Sequence, residues 1–279
     1  MRRCIIQWVG ILVLVLNGLP LAQAVTSSIE CSDGKAFDGI ERTRIGQDRF
    51  ASQKFEPAVR SANTKVLVVF LQGSSRSKAA LAANRTAALN LSQQLNASTV
   101  AMQRQIYRSE TGGAEDAKDD DYTPGNVALM ATALDRLRSL NAGKKLLLIG
   151  HADGAVMAAL LASRFPASAD AYLLAACPCD LPGRLQSRDA LTGKTVNGMH
   201  GLSPQDEAGN IRAGTRIALV VGNKDDNTLA KLSEAYVASL QRQGVKTRLT
   251  YAIGATHVSV LRSPEFFMLA SQLTVDLSR

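Results

Sequence analysis

Four short stretches of this sequence carry residue types suited to acyl-transfer chemistry. The first is Gly150-His151-Ala152-Asp153-Gly154, which has the Gly-x-nucleophile-x-Gly spacing of a nucleophile elbow. Such an elbow is a sharp turn between a buried strand and a helix, and bulk at either outer position would clash in it. Gly150 and Gly154 hold those positions, so Ala152 stands where a nucleophile belongs. A methyl group cannot attack a carbonyl. The second stretch, Gly222-Asn223-Lys224-Asp225-Asp226, offers a carboxylate to orient a histidine, with Asp225 preferred over its neighbour Asp226. The third, Gly254-Ala255-Thr256-His257, offers His257 as a general base with one ring nitrogen held by Asp225. In the fourth, Gln72-Gly73-Ser74, the Ser74 amide together with that of Asp153 would form an oxyanion hole.

Ala152 admits three accounts. It is a natural loss of the nucleophile, an engineered Ser→Ala change, or a sign that another group attacks. Shifting the frame by one offers the Asp153 carboxylate, but puts His151 at the tight minus-two position, which sterics oppose. A water activated by His257 is the other substitute.

The elements that must position these residues follow from apolar runs and their breaks. Val66–Leu71 is an unbroken apolar run, as expected for a parallel strand buried on both faces. Lys145–Ile149, Ala171–Ala176, Ile217–Val221 and Thr247–Ile253 read as further strands, with a short one over Ser98–Met102. Helices are predicted over Ala79–Leu95, Val127–Leu140, Ala155–Phe165, Leu229–Gln243 and Glu265–Leu277. Strand and helix alternate, which makes the fold class α/β with a mostly parallel central sheet flanked by helices. Each chemical stretch falls at the carboxyl end of a strand, where open α/β sheets gather their ligands. Residues 25–64 read as an N-terminal extension with one or two edge strands, 65–279 as the main domain, and 180–213 as a small irregular cap.

The order elbow, acid, histidine is that of the α/β-hydrolases. From residue 60 onward the chain resembles that superfamily, and within it the dienelactone-hydrolase and prolyl-oligopeptidase-like branch. Ser203-Pro204-Gln205-Asp206, Ile211 through Asp226, Gln243-Gly244-Val245 and Gly254–His257 carry the likeness to the branch. The resemblance implies a serine hydrolase of esters, thioesters or peptides, with Asp225 as acid, His257 as base and the Ser74 and Asp153 amides as oxyanion donors. It implies no cofactor. The departures are Ala152 for serine and Gln72 where a histidine is common. The expected partner is a small ester or peptide-like ligand, bound or turned over.

The first 24 residues differ from the rest. Arg2 and Arg3 precede an apolar stretch from Ile5 to Leu21, and Ala22-Gln23-Ala24 supplies small residues for cleavage. This reads as a secretory signal, so the mature protein is expected to be periplasmic or secreted, without a stable membrane span. Cleavage removes two arginines and no acids, taking the formal charge from +8 to +6. These charges are scattered rather than blocked, which argues against nucleic acid as a partner. Three cysteines remain, and one disulfide is expected: Cys31 with Cys177 or Cys179, or Cys177 with Cys179. Cys-Pro-Cys has only His200 nearby as a further metal ligand, too few for a site, so no metal is expected. The acidic run from Glu115 to Asp121 reads as a solvated loop.

Overall fold

Apolar residues that run without a break form the middle of one eight-stranded sheet. In the computed structural model these are β3 (Val66–Leu71), β5 (Lys145–His151), β6 (Ala171–Ala175) and β7 (Ile217–Gly222). Every residue of β3, β6 and β7 is buried, and only Lys145 of β5 is exposed. Burial on both faces removes the polar alternation that a half-solvated strand would need. The remaining strands are β1 (Ile40–Ile45), β2 (Asp48–Phe55), β4 (Thr99–Tyr107) and β8 (Thr247–Ala252). Their order across the sheet is β1-β2-β4-β3-β5-β6-β7-β8. From β4 to β8 all neighbours are parallel, and β1 and β2 join as an antiparallel margin.

The structure describes residues 40–45, 48–57, 65–73, 78–107, 122–192 and 201–279. All belong to one compact unit, Gly39–Arg279. The expected signal segment, Cys31, Ser74, His200 and the acidic run from Glu115 to Asp121 lie outside the described residues. Among the described residues, no helix is long and apolar enough to cross a membrane.

Alternation along β3 assigns its side chains to two cores. Leu67, Val69 and Leu71 face α2 (Pro124–Leu140) and α3 (Asp153–Arg164), and the same core takes Tyr236 and Leu240 of α6 (Ala230–Arg242). Val66, Val68 and Phe70 face α1 (Lys78–Gln94) and α7 (Pro264–Ser278). The sheet thus lies between two helical layers, as right-handed parallel crossovers require. Small residues let α3 pack deeply, and its stretch from Asp153 to Ser163 is buried throughout.

The segment expected to be irregular, 180–213, contains α4 (Leu181–Thr192), the short α5 (Pro204–Glu207) and a 3₁₀ turn (Ala208–Asn210). Pro182 and Gly183 both sit in the first turn of α4, where proline is tolerated because the early N–H groups lack intrahelical partners. The Gly183 amide is instead taken by Asp180 Oδ1 at 3.0 Å. β4 also runs past its expected end at Met102 to Tyr107, because β2 pairs along its free side.

Candidate active site

The turn from β5 into α3 is built on a backbone conformation that side chains usually avoid. Ala152 has φ 52° and ψ −118° and is the residue immediately before α3. The glycines around it are required by contact. A Cβ on Gly150 would overlap the Gly154 carbonyl and the Ala155 backbone, and one on Gly154 would overlap the Leu71 carbonyl. Ala152, and not Asp153, therefore occupies the apex, while Asp153 is already the first residue of α3. The Ala152 amide donates to the Ala175 carbonyl at 2.9 Å, which ties the turn to β6. Gly73, after β3, lies beside the apex: a Cβ there would sit 3.4 Å from the Ala152 methyl.

The loops after β7 and β8 are laced together. Lys224 N donates to the Ala255 carbonyl at 2.9 Å, and Gly254 N to Asn223 Oδ1 at 2.6 Å. Gly222 leaves no room for a side chain against Ala255, and Gly254 takes φ +75°. This lacing brings His257 Nδ1 within 2.9 Å of Asp225 Oδ2. The Asp225 side chain is fully buried, and its other oxygen accepts the amides of Asn227 at 3.0 Å and Thr228 at 2.8 Å. A carboxylate so held accepts the Nδ1–H of His257 and leaves Nε2 as the ring's lone-pair nitrogen. Asp226 is exposed and takes no part in this contact.

His151 is the last residue of β5 and is buried. Its Nε2 lies 2.8 Å from the His257 carbonyl oxygen. A carbonyl only accepts, so the proton of His151 is on Nε2. The two imidazole rings are 5.0 Å apart between centroids. Burial, with the charge of His257 adding to it, lowers the His151 pKa from 6.5 to about 4. The ring is thus neutral at any ordinary pH.

Asp153 is held at several points. Its Oδ1 pairs with Arg184 Nη1 of α4 at 2.9 Å, both side chains being about nine-tenths buried. Its carbonyl accepts the Tyr122 hydroxyl at 3.3 Å. A carboxylate bound to a guanidinium is a poor nucleophile, so the ion pair and the backbone frame both speak against attack by Asp153. Its amide lies in the first turn of α3, where N–H groups project from the helix end. The other expected oxyanion donor, Ser74, lies outside the described residues.

Cys177 and Cys179, just past β6, form a disulfide, and both are buried. That selects one of the three pairings the sequence left open. Gln205 N donates to the Cys179 carbonyl at 2.9 Å and Ser233 Oγ to that of Cys177 at 3.0 Å, so the bridged turn is fastened to α5 and α6. Neither Arg184 nor Tyr122 was found from the sequence. Arg184 sits in a stretch with no strong periodicity, and only the tertiary path of α4 brings it to the elbow.

No protein-family model matches the sequence, and no curated protein does. Solved structures do match. The chain is similar to Est1E of Butyrivibrio proteoclasticus, with TM-score 0.63 and 11% identity over 86% of this chain and 99% of that one. It is similar to proline iminopeptidase of Mycobacterium smegmatis, with TM-score 0.63, 11% identity and the same two coverages of 86% and 99%. A Pyrococcus furiosus esterase matches with TM-score 0.64 and 10% identity over 89% of this chain and 96% of that one. The sheet order, the turn at Ala152 and these likenesses together identify the architecture: the chain has the α/β-hydrolase fold.

Proposed function

We propose that this chain is an exported hydrolase-fold protein of the esterase or peptidase type whose nucleophile position is filled by Ala152. The observation that carries the reading is the contact of His257 Nδ1 with Asp225 Oδ2 at 2.9 Å, made by a chain that also bends at Ala152 with φ 52°. An acid–base pair and an elbow are the parts that acyl transfer needs around a serine. In an Ala152→Ser chain the new Oγ attacks the acyl carbon and its proton passes to His257 Nε2. Asp225 stabilises the imidazolium, and His257 then returns the proton to the leaving group. The amides of Asp153 and Ser74 receive the developing oxyanion. The dienelactone-hydrolase and prolyl-oligopeptidase-like branch is the family assignment that the sequence motifs favour.

The Ala152 chain is, on a second reading, a binding protein that holds an ester, thioester or peptide-like ligand without acyl-enzyme formation. The methyl group of Ala152 favours it. Export to the periplasm or beyond is supported by the residue pattern of positions 1–24 and by the Cys177–Cys179 disulfide, since such bonds persist in oxidising compartments.

The test compares this chain with Ala152→Ser on p-nitrophenyl esters and on a fluorophosphonate probe. Labelling and turnover by the serine form alone support the hydrolase scaffold. A folded serine form that neither labels nor turns over sinks it. Retention of an ester-like ligand by the alanine form, by calorimetry, separates the binding reading from an empty site.

A further inference from the structure

His257 is held at its ring by Asp225, and the loop before it is laced to the β7 loop through Gly254 and Ala255. A further contact fastens the backbone of His257 itself. The Nε2–H of His151 reaches the His257 carbonyl at 2.8 Å, from the rigid end of a central strand. The same imidazole also borders the loop after β3, where a Cβ on Gly73 would lie 3.8 Å from Nδ1. His151 therefore stands between the Gln72–Gly73 loop and the His257 loop, one residue before the apex of the elbow.

We propose that His151 is a positioning residue for His257: its Nε2–H anchors the His257 carbonyl and so sets the ring against Asp225. The inference rests on the reading of His257 as the general base. Burial keeps the His151 ring neutral, so it adds no positive charge beside an imidazolium forming on His257. The charged groups that bear on it are His257 itself, Asp153 in the following turn and Asp225 across the loop. Positioning groups of this kind act through geometry, and small displacements of a reacting group lower rates steeply.

The chain holds three histidines, which makes the test direct by proton and nitrogen NMR on the Ala152 form. The readouts are the downfield Nδ1–H resonance of His257 and the chemical shift of its Nδ1. In His151→Phe and His151→Leu the proton resonance should weaken or vanish and the nitrogen shift should move. His151→Gln, whose amide can still donate to the carbonyl, should restore both. Reading two apolar variants keeps the test decisive if one of them fails to fold. In an Ala152→Ser background the apolar variants should lower kcat by roughly 10–100-fold with KM little changed. A folded apolar variant with both signals unchanged overturns the proposal, as does a glutamine variant that behaves like the apolar ones. An inert Ala152→Ser chain with the expected NMR response overturns the hydrolase reading alone and leaves His151 in its role.

Discussion

The guanidinium of Arg184 lies 2.9 Å from the carboxylate of Asp153, joining α4 to the first residue of the elbow helix in a site that excludes most solvent. Removing one partner of such a pair leaves a desolvated charge behind, which is worse than removing both. Arg184→Leu is expected to destabilise the fold by roughly 3–5 kcal/mol. Adding Asp153→Asn should recover a large part of that loss. Urea midpoints of the two single variants and the double variant measure the coupling. A single-variant loss under about 1 kcal/mol would place the pair among surface bridges instead.

Ala152 adopts φ 52° although it has a Cβ. Conformations of that kind cost about 1–3 kcal/mol, whereas glycine adopts them freely but loses up to about 1 kcal/mol more entropy on folding. Ala152→Gly should therefore leave the protein as stable as before or stabilise it by about 1 kcal/mol. A loss of stability by calorimetry would argue against backbone strain at the apex.

Asp225 bridges the His257 ring and two backbone amides. In the Ala152→Ser background, Asp225→Asn should lower kcat on the order of 10⁴-fold, because an amide favours the wrong histidine tautomer. Asp226→Asn should change kcat little, since Asp226 is exposed. Single-turnover kinetics on an activated ester separate these outcomes.

Acid stability should carry the signature of His151. Its pKa is about 4 folded against 6.5 for the free side chain, so the unfolded chain binds this proton more tightly. The stability it confers is complete above pH 6.5 and is lost as pH falls toward about 4. At most that amounts to about 3 kcal/mol. Denaturant unfolding at stepped pH should show the decline, and His151→Gln should flatten it.

Trp8 is the only tryptophan and lies in the proposed signal segment. The processed protein recovered from the envelope should thus have no tryptophan emission, while a chain that keeps the segment should have it. Intact-mass measurement places the cleavage.

The sequence by itself determined the alternation of strands and helices, because burial on both faces of a sheet demands uninterrupted apolar runs such as Val66–Leu71. It also determined the elbow, since only glycine fits at 150 and 154, and the order of Ala152, Asp225 and His257 along the chain. Local patterns favoured Asp225 over Asp226 but could not show the contact itself, which depends on which of two neighbouring carboxylates the laced loops turn inward. Nor could they choose the Cys177–Cys179 bridge, identify Arg184 as the partner of Asp153, or assign His151 to the His257 carbonyl. His151 and His257 stand 106 residues apart in the chain, and Arg184 stands 31 from Asp153. Contacts at such separations depend on where whole strands and helices lie once packed, and only the tertiary structure decides that.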